Sequence, residues 1–190
     1  MPKVLLVIGD AAEVLDTFYA YFRIQEEGIE VDLAAPEVRR YHLVQHERPD
    51  GWDLTQETPG YHLESNVAFR DVNPDDYLGL FITGGRAPEY LRYDDDLMRI
   101  TRSFFAATKP VASLCHGIEI LAAAGVLKGR TATTVPKCQY DVEFSGGSYV
   151  NQPVVRSGNL VTARTWSDNA PFLHEFVAML NEAGSKDSAA

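Results

Sequence analysis

Short, uninterrupted apolar runs separated by helical spacing constrain this chain more than any other feature. Residues 4–8, 77–83 and 110–114 are each too short for a helix and carry no charged side chain. Such a run fits a strand covered on both faces, the environment of a parallel sheet between layers of helices. After the first run, Val14, Leu15, Phe18 and Phe22 fall on one face of a helix that Gly28 closes, and residues 29–33 then alternate as a strand. The first 35 residues therefore read as a βαβ unit, which implies a parallel sheet and a right-handed crossover.

Residues 36–70 break the pattern. They are polar and aromatic, interrupted by Pro36, Pro49, Gly51, Pro59 and Gly60. We read them as an insertion carrying short strands, with a hairpin around residues 52–63, because a structureless stretch of that length is unusual in a compact domain. The α/β rhythm then returns. A short helical turn starts at Asn73-Pro74, and helices are predicted over 94–107 and 117–124. Short strands follow at 131–134, 148–150, 154–156 and 160–162. Phe172, Leu173, Phe176, Val177 and Leu180 mark a last amphipathic helix. Nothing divides the chain, so one domain over residues 1–183 is expected, with a disordered tail at 184–190; 190 residues are enough to enclose a real core.

The formal net charge of −10 argues against nucleic acid or an anionic membrane as a standing partner, since both need clustered Lys and Arg. Two cysteines, Cys115 and Cys138, make no disulfide framework, and no four-ligand zinc pattern is present. The first apolar run is too short for a signal-peptide core, and no run approaches membrane-spanning length. A cytoplasmic location is the expectation, with no metal and no cofactor.

Ser113-Leu114-Cys115-His116-Gly117 sits where the third buried strand meets a helix. A nucleophile at such a junction occupies a sharp turn, which small residues two positions either side allow. Cys115 would lie at a strand's carboxyl end, where open α/β sheets place their sites, and at a helix N-terminus, which favours thiolate. A buried structural cysteine is the competing reading, and catalysis is the better supported by about two to one. His116 offers the base that a nucleophilic cysteine needs. Thr83-Gly84-Gly85-Arg86 ends another buried strand, and its glycines suit an oxyanion hole as well as an ordinary turn. Glu13 follows the first strand, where a carboxylate serves either the helix N-terminus or the thiol. Cys138 reads as structural. His42, His46 and His62 read as surface or interface residues of the insertion.

These motifs resemble the ThiJ/PfpI superfamily. The stretch from Ala112 through Cys115-His116-Gly117 to Arg130, and Thr83-Gly84-Gly85-Arg86-Ala87-Pro88-Glu89, carry the likeness. The resemblance implies a flavodoxin-like (class I glutamine amidotransferase-like) three-layer α/β sandwich with a mostly parallel sheet. It implies Cys115 as nucleophile, His116 as acid/base and Glu13 as carboxylic partner, with Asp16 at a second acidic position. Backbone amides around Gly84, Gly85, His116 and Gly117 would form the oxyanion hole. Glu89 would reach the His of a neighbouring subunit, so a homo-oligomer is implied, a dimer at least and a hexamer in one branch. Asp50-Gly51-Trp52-Asp53 and residues 57–63 are similar to a longer stretch in members with glutathione-independent glyoxalase activity. The substrates implied are a small-molecule carbonyl compound, turned from methylglyoxal to lactate, or a peptide; a redox-responsive stress chaperone is the third reading.

Overall fold

The computed structural model describes residues 2–187. In chain order its elements begin with β1 (Lys3–Val7), α1 (Val14–Glu26), β2 (Glu30–Ala35), β3 (Arg40–Glu47), β4 (Gln56–Glu64) and β5 (Val67–Ala68). Next come β6 (Gly79–Ile82), α2 (Ala87–Leu91), α3 (Asp95–Ala106), β7 (Val111–Leu114), α4 (Ile118–Ala124) and β8 (Thr131–Ala132). The chain continues through α5 (Gln139–Phe144), β9 (Ser148–Tyr149), β10 (Val154–Ser157), β11 (Leu160–Ala163) and α6 (Asn169–Asp187).

Seven strands form the central sheet in the order β10-β11-β7-β6-β1-β2-β5, and only β10 runs antiparallel to its neighbour. The apolar runs supply β1, β6 and β7, and every residue of β6, β7 and β11 is buried. Their side chains alternate between two cores, as the pleat requires. Leu5, Val7, Leu80, Ile82 and Val111 meet Leu97, Ile100 and Phe104 of α3 and Ile118 and Leu121 of α4. Val4, Leu6, Phe81 and Ala112 meet Ala20 and Ile24 of α1 and Phe172 and Phe176 of α6 on the other side. The result is the expected three-layer α/β sandwich. Strand order reverses between β1 and β6, and the crevice beyond the carboxyl ends of β1, β6 and β7 is where such folds bind ligands.

Three local expectations change. The hairpin of the insertion pairs β3 with β4, so residues 48–55 form its tip, earlier than the predicted centre. The buried face of α1 is Val14, Asp16, Thr17, Ala20 and Ile24, whereas Leu15 and Phe22 are exposed. Val14 and Ile24 carry the apolar part of that face, with Asp16 and Thr17 buried beside them. The last helix runs to Asp187, beyond Gly184 where a tail was expected, because nothing after Leu180 breaks its hydrogen bonding; residues 188–190 lie outside the described residues. Among the described residues no helix is long and apolar enough to cross a membrane.

Candidate active site

Cys115 opens a single 3₁₀ turn between β7 and α4, and its φ is +53°. A left-handed conformation at a non-glycine residue costs roughly 1–3 kcal/mol and persists only where the surroundings hold it. Here they do. The Thr134 hydroxyl donates to the Cys115 carbonyl at 2.7 Å. Gly117 lies so close to Ser113 Oγ and the Ile82 carbonyl that an added Cβ would sit 2.7 and 3.0 Å from them. Opposite, a Cβ on Gly84 would fall 2.5 Å from Cys115 Cβ and 2.4 Å from Asp16 Oδ2. The elbow is thus clamped between two backbones that only glycine permits.

Gly85 has φ +76°, and a Cβ there would meet the Ala11 carbonyl at 2.3 Å and the Glu13 nitrogen at 2.4 Å. This close approach turns its amide toward the Cys115 sulfur, as the amide of His116 also turns. The two amides that face the sulfur are therefore those of Gly85 and His116. Gly84 and Gly117, predicted as members of the same hole, contribute room for the elbow.

Cys115 Sγ lies 3.3 Å from His116 Nδ1, and both side chains are buried. Burial pushes the thiol up to about 12, with Asp16 adding to the shift and the two amides opposing it. Burial likewise lowers His116 to about 4, helped by Lys137 and His46. The resting pair is a neutral thiol and a neutral imidazole. The dipole of the helix start, expected to favour thiolate, is outweighed by the loss of solvent.

Beneath the sulfur lies a pair of carboxyl groups. Glu13 caps α1, its Oε2 accepting the Asp16 amide at 2.7 Å, and it is buried. Burial disfavours its ionised form in spite of the amides of Asp16, Leu15 and His46. Asp16 is fully buried, with no hydrogen-bond partner for either carboxyl oxygen among the described residues, and burial followed by Glu13 strongly disfavours its ionised form. Asp16 is the carboxyl that bears on the sulfur, and Glu13, expected in that place, bears on Asp16.

The hairpin covers one side of the site. His46 approaches His116 closely enough to oppose its protonation, and His46 Nε2 lies 3.0 Å from Glu57 Oε2. Glu57 in turn pairs with Arg86 at 3.3 Å, and Arg86 with Glu89 at 3.4 Å. His46, read from sequence as a surface or interface residue, belongs to the mouth of the site. Glu89 is exposed, and among the described residues no hydrogen bond joins it to the Cys115–His116 pair. A separate cavity of about 670 Å³ opens at the amino ends of the strands, among Lys3, Lys109 and Asn159, and holds none of these residues.

Comparisons with known proteins agree on one family and one fold. The sequence model of the DJ-1/PfpI family matches residues 2–179. A protein of Pyrococcus abyssi named as a deglycase is 37% identical over 94% of this chain and 99% of its own length. The protein called DJ-1 homolog D of Arabidopsis thaliana is 36% identical over 94% of this chain and 47% of its own. Among solved structures, a ThiJ/PfpI domain protein of Brachyspira murdochii superimposes with a TM-score of 0.81 at 19% identity, covering 95% of this chain and 96% of that one. At that identity the likeness speaks for the fold alone.

Proposed function

The chain belongs to the DJ-1/PfpI family, and from that premise we propose that it is a cysteine-dependent enzyme of the deglycase and glyoxalase type. Its substrates would be 2-oxoaldehydes such as methylglyoxal and the adducts these leave on amino groups. The observation that carries the reading is the position of Cys115 Sγ, 3.3 Å from His116 Nδ1 and faced by the amides of Gly85 and His116. Full-length relatives named as deglycases support the choice of chemistry.

In the proposed reaction the thiol proton passes to His116 as sulfur bonds to the aldehyde carbon. The two amides stabilise the oxyanion, and a proton returns to it to give a hemithioacetal. From an adduct, the same attack expels the amine. His116 then takes the proton from the former aldehyde carbon and returns one to the adjacent carbon, leaving a thioester. Water cleaves it to a hydroxy acid, lactate from methylglyoxal, and regenerates the thiol. Burial disfavours ionisation of both Asp16 and Glu13, and Glu13 adds to the effect on Asp16, which makes this pair the local proton reserve. The cycle consumes no redox equivalent and no glutathione, and a free thiol of this kind fits the cytoplasm.

The test is methylglyoxal turnover without glutathione. Wild type forms lactate, Cys115→Ala loses roughly 10³-fold or more and His116→Ala about 10²-fold or more. Ordinary turnover by Cys115→Ala would sink the reading. Peptide hydrolysis that follows Cys115 with no lactate formed would replace it with a peptidase.

A homo-oligomer belongs to the same proposal. Leu15, Tyr19 and Phe22 of α1 and Tyr61 of the hairpin are large, exposed and neighbouring, and an apolar patch of this kind needs a partner. Exposed Glu89 is then free to reach a second copy. Sedimentation of Phe22→Glu against wild type checks this, with a smaller species expected for the variant.

A further inference from the structure

Behind the nucleophile, His116, Glu119 and Cys138 bring one ligand atom each to within 4.8 Å of one another, and all three are buried. The mechanism above uses only the first. His116, in the 3₁₀ turn, and Glu119, in the first turn of α4, stand three residues apart along a continuous helical path and so share a face. Cys138 comes from the 3₁₀ turn that leads into α5, with Sγ 3.7 Å from Glu119 Oε1. Among the described residues no hydrogen bond joins His116 to either group.

We propose that these three side chains form a binding site for a borderline divalent cation of the Zn²⁺ type, and that its occupancy withdraws His116 from Cys115. Imidazole, carboxylate and thiolate are the ligand set Zn²⁺ prefers. Ligands on a tetrahedral zinc, bonded at about 2.0–2.3 Å, lie roughly 3.3–3.8 Å apart. The Cys138–Glu119 separation already meets that spacing, and a swing of the His116 ring by about an ångström completes it. The carboxylate is fixed from outside: Glu119 Oε2 lies 3.3 Å from Arg92 Nη1, and Arg92 Nη2 lies 3.2 Å from Asp141 Oδ1. Such outer contacts hold metal ligands in place. Arg92 and Asp141 also line an open surface cavity of about 430 Å³. Binding releases the Cys138 thiol proton and forms the metal–sulfur bond, with no redox change. The imidazole nitrogen, once bound, no longer serves as a base.

Binding stands apart from the reading of function; only the effect on turnover rests on that reading. The probe is Co²⁺ added to the purified full chain, followed by Zn²⁺. Wild type should take up one equivalent of Co²⁺, with a thiolate-to-cobalt charge-transfer band and tetrahedral d–d bands, and Zn²⁺ should bleach both. Cys138→Ser should lose the charge-transfer band, Glu119→Gln should bind about 10–100-fold more weakly, and Cys115→Ser should keep the band. Circular dichroism confirms that each variant is folded. No band in wild type, or a band lost in Cys115→Ser and kept in Cys138→Ser, overturns the site. One equivalent of Zn²⁺ should cut methylglyoxal turnover at least about tenfold in wild type, reversibly with chelator, and leave Cys138→Ser unaffected. Binding with unchanged turnover would overturn the inhibitory effect, and a chain that binds Co²⁺ but never turns over methylglyoxal would overturn the proposed function and keep the site.

Discussion

The elbow and the hairpin flank the same cleft but are built under opposite rules. At the elbow, Gly84, Gly85 and Gly117 each stand where a single Cβ would come within 2.3–2.7 Å of another atom, and Cys115 holds a left-handed backbone. At the hairpin, Trp52, Leu54 and Tyr61 are exposed, and the strands pair with each other and, through His42 and Val44, with the Ala11–Glu13 loop. The elbow's geometry is fixed by the core beneath it. The base of the hairpin is anchored by Tyr41 and Leu43, buried in the two cores, while its outer part adds the polar groups His46 and Glu57 to the rim. The reacting atoms thus depend on backbone packing, and the cleft mouth on a flap anchored only at its base.

The comparison breaks first if the elbow tolerates a methyl group. Gly85→Ala would place Cβ against backbone atoms of Ala11 and Glu13 and force a positive φ on alanine. Backbone cannot yield as a side-chain end can, so we expect a loss of at least about 3 kcal/mol, or a displaced amide with turnover down by 10²-fold or more in roughly equal measure. Urea unfolding and turnover measured together decide it, and a Gly85→Ala protein with wild-type values in both would remove the elbow's distinction.

Charge gives the next largest effect. Asp16 is ionised less readily folded than unfolded, so the native state holds more protons than the unfolded chain above the ordinary carboxylate range. Stability due to this group is therefore greatest at acid pH and falls as pH rises through its raised folded value. Asp16→Asn removes the titration. Its stability relative to wild type should rise between about pH 4 and pH 8 in urea unfolding, and a constant difference would contradict a protonated buried pair. His116, lowered to about 4, should in turn show no imidazole titration by NMR between about pH 5 and 8.

The same division governed what could be read from sequence. The sheet was legible because β1, β6 and β7 are continuous apolar runs, and doubly covered strands leave that mark. The glycines around Cys115 were legible as a turn, but which amide faces the sulfur depends on contacts 30 residues and more apart in the chain. Asp16 and Glu13 illustrate this: both were visible as acids, and only the path of α1 over Gly84 decides which meets the thiol. His46 was misread for a definite reason. Tyr41 and Leu43 are buried, and strict alternation would send residue 45 inward. The register shifts between His42 and Val44, so a bulge re-aims the strand and brings His46 toward the site. Glu119 drew no notice and Cys138 read as structural because each looks so alone, and their convergence needs the fold.

Progressively smaller effects belong to the hairpin. Removing the rim contact by His46→Ala or Glu57→Ala should raise KM severalfold with kcat nearly unchanged, because these groups touch the cleft mouth and not the sulfur. Smallest of all is the tip. Trp52→Ser and Leu54→Ser replace side chains that are 61% and 71% exposed and leave no cavity behind. Each should change unfolding free energy by no more than about 0.5 kcal/mol, and turnover by less than twofold. Loop length enters only logarithmically, so replacing residues 48–55 by a two-residue turn should also cost little, about 1 kcal/mol at most. Urea midpoints at constant slope measure this directly. A loss above about 2 kcal/mol at the tip would mean that the flap carries fold stability, and the two sides of the cleft would then be parts of one packed unit.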